Sequence, residues 1–205
     1  FAPRAFIINY TNPMTTLTKT ICLHTDQPVV GLCHGLFEVY NALQQLFGLK
    51  SEKEVRLNIA GINHFFWVLD MSVRGRDGYA MLRQRLQGKN LSDVADLDDG
   101  LSGAFHSQRK VAAELYQRYG YLPYLGDRHT CEFFSRYVAP NRHRIKQYGL
   151  IRTTIAKRRQ LAAANLKRVF SWIARREEMP AERSRETAAD IVAAGVLGHE
   201  FIDVV

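Results

Sequence analysis

The sequence predicts a layered fold of the α/β to α+β class. Two strand-then-helix units open the chain, a pair of extended segments flanks Asn63 and His64, and long helical patterns fill the rear. Residues 5–9 are a short apolar run closed by Thr11-Asn12-Pro13. Pro13 disfavours helical geometry at Asn12, so the run reads as a buried strand ending in a turn. Residues 14–25 read as a helix and residues 28–33 as a second strand. Residues 34–49 space Leu36, Val39, Tyr40, Leu43 and Leu46 or Phe47 as one helical face that ends near Gly48.

Residues 55–62 and 65–70 are further extended segments, the first alternating apolar and polar side chains at its start. Residues 79–99 are polar, with Arg83, Gln84, Arg85 and Gln87 followed by Asp93, Asp96, Asp98 and Asp99, and they predict an exposed excursion. Residues 111–119 form an amphipathic helix that Gly120 and Pro123 break. Residues 153–178 carry the longest helical pattern, with Ile155, Leu161, Leu166, Val169, Phe170 and Ile173 as its inner stripe and Pro180 as its stop. A helix over 186–197 and a strand over 201–205 complete the reading.

At 205 residues, 46% of them hydrophobic, the chain is long enough to bury a core. No run of about eighteen apolar residues predicts a membrane span, and no leader with a cleavage site precedes the first strand, which predicts the cytoplasm. The chain opens into that strand without an initiator Met, so further sequence is expected upstream. Cys22, Cys33 and Cys131 cannot all pair within one chain and read as reduced thiols. The net charge of +8 gathers between Arg142 and Arg185 at helical spacing. A solvated helix face explains it, and few aromatics stand there to stack on bases, so no nucleic-acid partner is expected.

The residues with chemistry cluster at strand ends. Gly31-Leu32-Cys33-His34-Gly35 and Gly61-Ile62-Asn63-His64-Phe65 offer a thiolate and an imidazole, donors that suit a borderline divalent ion and leave coordination positions for a substrate. Gly31, Gly35 and Gly61 read as places where backbone approaches a ligand. Cys22 and His24 imitate a ligand pair, but two residues apart on a helix their side chains diverge. No Gly-x-Gly-x-x-Gly turn occurs in these residues, so they hold no complete dinucleotide-binding domain.

In order and separation, Ile8-Asn9-Tyr10-Thr11-Asn12-Pro13-Met14, the Cys33 and His64 motifs, and Leu125-Gly126-Asp127-Arg128-His129-Thr130-Cys131-Glu132-Phe133-Phe134 resemble glycoside hydrolase family 4 across nearly the whole chain. The resemblance implies a lactate or malate dehydrogenase-like substrate domain over 35–205, truncated at its end, after the last part of a Rossmann sheet over 1–34. It also implies a glycosidase acting on α-glycosides, either uronides or glucosides, that depends on NAD and a divalent metal, expected to be Mn²⁺, and that acts by oxidation at C3, deprotonation at C2 and elimination instead of through two carboxylates. Cys33 and His64 would be the metal ligands and Asp127 the base at C2. Asn12 and Asn63 would bind sugar hydroxyls, Asn12 also facing the cofactor, and His34 would assist the leaving group or grip the substrate. Arg128 and His129 would contact substrate, Arg128 favouring a uronide carboxylate.

The implied partners are a small carbohydrate and, at full length, further copies of the chain. Without the glycine-rich turn, these residues are expected to bind metal weakly and NAD hardly at all. The competing readings are a 2-hydroxy-acid dehydrogenase-like domain, a basic nucleic-acid module and an inactive fragment.

Overall fold

Two short parallel strands, β1 (Ile7–Asn9) and β2 (Val29–Gly31), pair Ile7 with Val29 and Asn9 with Gly31, and α1 (Met14–His24) connects them. Parallel pairing sets their carboxyl ends side by side, so the segments leaving β1 and β2 emerge at one edge. The computed structural model describes residues 2, 5–94, 108–138, 142–150, 153–180, 187–198 and 200. It divides into two compact units, Phe1–Ile151 and Arg152–Val204.

Asn9 fixes the turn out of β1. Its side chain is buried, donates to Met14 O at 3.3 Å and Thr18 Oγ1 at 3.1 Å, and accepts from Thr11 N at 2.9 Å. A Cβ on Gly31 would lie 2.2 Å from Met14 Sδ, so this glycine serves the seating of α1 on β2 and not a ligand.

After β2 the chain enters α2 (Gly35–Phe47), which buries Leu36, Val39, Ala42, Leu43 and Leu46 and ends at Gly48 in the left-handed conformation. An antiparallel sheet follows, formed by β3 (Val55–Ile62) and β4 (Phe65–Val73), with β5 (Arg76–Asp77) and β6 (Leu122–Pro123) both paired to β4. The pairing slips between Asn58/Asp70 and Ile59/Val68, which leaves Leu69 of β4 as a bulge residue. Core-facing positions run Phe66, Val68 before the bulge and Met71, Val73 after it. Strict alternation breaks at that point, and the strand is longer than the 65–70 expected from sequence.

Residues 79–99 depart from expectation. Helix α3 (Gly78–Leu86) buries Leu82 and Leu86 against β4, and Asp77 Oδ1 caps it by accepting from Ala80 N at 3.0 Å. A short helix α4 (Leu91–Val94) follows, with Leu91 buried, and residues 95–99 lie outside the described set. Arginines and glutamines on the outer face hid two apolar residues four positions apart. Tyr79, on the same helix, donates its hydroxyl to Val68 O and accepts from Leu122 N at 3.0 Å, joining β6 to the edge of β4.

The segments that carry the last sequence motif are short. After α5 (Lys110–Tyr119) and β6 come α6 (Asp127–Thr130), a turn over Cys131–Phe133, α7 (Ser135–Val138) and α8 (Arg142–Gln147). Asp127 ties α6 to α5, its two carboxylate oxygens accepting from Val111 N and Ala112 N, each at 3.0 Å, at the start of α5. The second unit contains α9 (Ile155–Ile173) and α10 (Ala188–Leu197). Contrary to expectation, no residue of α9 is buried, Ile155 and Ile173 both being 72% exposed. The strand expected over 201–205 lies outside the described residues, among which no helix is long and apolar enough to cross a membrane.

Burial of Asp127 outweighs its amide hydrogen bonds and raises its pKa from 3.8 to about 6. A carboxyl raised in the folded state favours folding below its unfolded pKa and loses that contribution as pH climbs through the folded value. The stability of the protein relative to its Asp127→Asn variant is therefore expected to fall between pH 4 and pH 6, by up to about 3 kcal/mol. Urea unfolding across that range measures it, and a flat difference would contradict the assignment.

Candidate active site

Two loops at the carboxyl edge of β1 and β2 bring the first residues together. Cys33 follows β2 directly, half-buried, and His34 occupies the position before α2, exposed, its ring near Tyr10 at 6.4 Å and Phe37 at 6.3 Å. The facing loop is the turn between β3 and β4, where Ile62 pairs with Phe65 and only Asn63 and His64 make the connection. A two-residue hairpin needs positive φ, and His64 supplies it at 60°. Histidine tolerates that region better than most side chains, and the turn demands it. Gly61, at φ 143°, completes the bend, and a Cβ there would lie 2.3 Å from Phe65 O, so this glycine also serves internal packing.

Cys33 Sγ lies 3.2 Å from His64 Nε2 across this gap. Burial, reinforced by the neighbouring His129, lowers the pKa of His64 to about 4, so its ring is neutral at neutral pH and keeps a lone pair for a metal or a thiol proton. Among the described residues no group of three or more His, Cys, Asp or Glu side chains converges as a metal cage. The pair instead offers one soft and one borderline donor within reach of a single ion, which fits a divalent metal whose remaining positions are open to substrate.

The imidazole is enclosed by rings. His129 stacks on it with centroids 3.9 Å apart and planes 21° apart, and Tyr124 lies at 5.7 Å and 11°. Phe65, next to His64, packs at 4.8 Å on Phe133 and at 5.4 Å on Phe134, which brings the end of the last motif against the hairpin. His129 Nδ1 stands 3.3 Å from Glu132 Oε1. Tyr124 is 2% exposed and donates its hydroxyl to Glu38 Oε2 at 2.8 Å. Burial and the Glu38 charge push its pKa far above the usual phenol value, so the hydroxyl stays protonated.

The expected site residues therefore divide. Cys33, His64 and His129 come together. Asn63 sits beside them, its buried Oδ1 without a hydrogen-bond partner among the described residues. Asn12 is exposed in the turn after β1, where its Oδ1 accepts from Met14 N at 3.3 Å, and Arg128 is half-buried on α6. Asp127 is a correction. At 1% exposure, with both oxygens engaged by the amides of α5, it is a helix cap in this structure and not an open base. Gly35 is another, since a Cβ there would lie 3.2 Å from Tyr124 Cε2 and its smallness accommodates that ring. The residues that sequence reasoning missed are Tyr124 and Glu38. Tyr124 stands two positions before Gly126 in the motif, a closeness that carried no periodic signal.

Comparisons with known proteins identify the family of the chain. Residues 59–205 match the family 4 glycosyl hydrolase C-terminal domain, and residues 1–49 match family 4 glycosyl hydrolase. The α-galacturonidase of Thermoanaerobacterium saccharolyticum is 31% identical over 178 residues, covering 81% of this chain and 38% of that protein. The α-galacturonidase of Bacillus subtilis is 27% identical over 211 residues, 95% of this chain and 45% of that protein. A crystal structure from Bacillus subtilis described as that of a glucosidase superposes with a TM-score of 0.77 at 26% identity, covering 95% of this chain and 46% of the other. A 6-phospho-α-glucosidase from gut microorganisms, solved with NAD and Mn²⁺, shares the fold at a TM-score of 0.60 and 18% identity, over 95% of this chain and 43% of that one.

The chain thus spans less than half the length of these relatives. The expected fold, the lactate dehydrogenase-like domain of these enzymes, is borne out. With most of the sequence under the C-terminal domain match and the opening strands under the other, the chain belongs to glycosyl hydrolase family 4.

Proposed function

We propose that the protein carrying this chain is a glycosidase that cleaves α-uronides by oxidation and elimination, using NAD and a divalent metal. The observation that supports the reading is the approach of Cys33 Sγ to His64 Nε2 at 3.2 Å, on two loops far apart in sequence. When bound, the metal supplies Lewis acidity at the sugar hydroxyls and the nicotinamide a hydride acceptor at C3. Cys33 and His64 hold the ion. Asn63, whose buried Oδ1 has no partner among the described residues, is assigned to a sugar hydroxyl. His34, exposed beside Cys33, is available to the leaving group, and Asn12 in the turn after β1 to the sugar and the cofactor. His129 covers one face of His64 and shields it from water.

Arg128 is assigned to a substrate carboxylate, a choice supported by the α-galacturonidase relatives. The base role that resemblance gave Asp127 is not carried into the proposal, because the carboxylate is closed off. The same reading includes a cytoplasmic enzyme, a small carbohydrate partner and assembly as a homo-oligomer.

Three measurements test it. Hydrolysis of an aryl α-galacturonide by the full-length protein is expected to need both NAD and Mn²⁺, to stop with chelator and to resume with Mn²⁺. In D₂O the released sugar is expected to carry deuterium at C2. Turnover indifferent to chelation and to NAD removal would refute the mechanism. His64→Asn, which retains a residue tolerant of positive φ, is expected to keep the fold, losing about 1 kcal/mol with the ring stack. Its Mn²⁺ affinity is expected to fall by more than about a hundredfold, beyond what loss of a ligand's hydrogen-bond partner brings.

A further inference from the structure

Tyr124 occupies a slot cut for it. A Cβ on Gly126 would stand 2.6 Å from both Tyr124 Cζ and Oη, and one on Gly35 would stand 3.2 Å from Cε2, so the ring is flanked by two stretches of backbone that only glycine makes thin enough. Its main chain is tied at both ends, Tyr124 N donating to Phe66 O at 2.9 Å and Thr130 Oγ1 donating to Tyr124 O at 3.1 Å. The hydroxyl reaches Glu38, in the first turn of the helix that begins just after Cys33, and the face of the ring lies along that of His64. One side chain therefore links the loop bearing the thiol to the hairpin bearing the imidazole.

We propose that Tyr124 and Glu38 form a positioning pair for His64. Glu38 fixes the tyrosine hydroxyl, the fixed ring together with the stacked His129 sets the plane of the imidazole, and that plane aims Nε2 at Cys33 Sγ. Neither residue touches the reacting atoms. The consequence for metal affinity rests on the metal-site reading above, whereas the effect on the imidazole itself does not. Partners that orient a ligand commonly change affinity by 10–100-fold when removed.

The test uses two readouts on the purified protein, long-range ¹⁵N–¹H correlation of the imidazole nitrogens without metal, and titration with Mn²⁺ alone followed by electron paramagnetic resonance of the free ion. Tyr124→Phe keeps the ring and removes the hydroxyl. It is expected to broaden the His64 signals or populate a second tautomer and to weaken Mn²⁺ binding by about tenfold. Glu38→Gln retains an acceptor for the hydroxyl and is expected to keep most of both. Leu82→Ala, in the core face of α3, is expected to lower stability and leave both readouts alone, which separates positioning from general loosening. A His64 spectrum in Tyr124→Phe identical to that of the parent protein, at unchanged Mn²⁺ affinity, overturns the proposal. If the parent protein binds no Mn²⁺ while the substitution still frees the imidazole, the positioning stands and the metal reading falls.

Discussion

Close approach of three backbone segments around one aromatic ring is the constraint on which the site depends. The loop leaving β2, the hairpin turn at Asn63 and His64, and the segment between β6 and α6 are remote in sequence, and each alone is a short irregular piece of chain. They converge because Tyr124 fills the space between them at 2% exposure and because Gly35 and Gly126 present no Cβ to the ring. A loop tip of this kind has little of its own to hold it. Here a buried ring, two hydrogen bonds to its main chain and one charge-assisted hydroxyl bond supply the order, and the imidazole inherits it.

Much of the fold could be read from the sequence, and what was lost has physical causes. The parallel β1–β2 pair, α2 and the β3–β4 hairpin declared themselves by apolar runs, a 3.6-residue period and punctuation by Pro13 and Gly48. Helix α3 was hidden because its buried leucines, Leu82 and Leu86, enclose Arg83, Gln84 and Arg85, whose polarity dominates the local pattern. The strand expected over 65–70 stopped short of Val73, and within β4 the bulge at Leu69 moves the core-facing side chains from even to odd positions. On α9 the apolar stripe was legible, but periodicity states only which residues share a face and never whether a neighbour covers it.

The site shows the same division. Cys33 and His64 could be named from donor chemistry and strand-end position, and the structure brings their atoms within 3.2 Å. Their surroundings were beyond sequence reading. Glycines taken as room for a ligand turn out to be room for Met14, Tyr124 and Phe65 O. Asp127, taken as a base, answers the free amides at the start of α5, a tertiary demand that local spacing does not reveal. Tyr124 and Glu38 are separated by 86 positions, so no short motif could have joined them.

The bulge in β4 lies between the core sheet and the tip that carries His64. Because side chains alternate across a pleat, adding or deleting one residue on either arm of this hairpin would swing the imidazole to the opposite face. Length variation among related chains is therefore expected to collect in connections such as that between α4 and α5, while the hairpin stays fixed in length even where its side chains diverge. Chains with an altered count in this arm would be the ones to look to for a changed or abandoned chemistry.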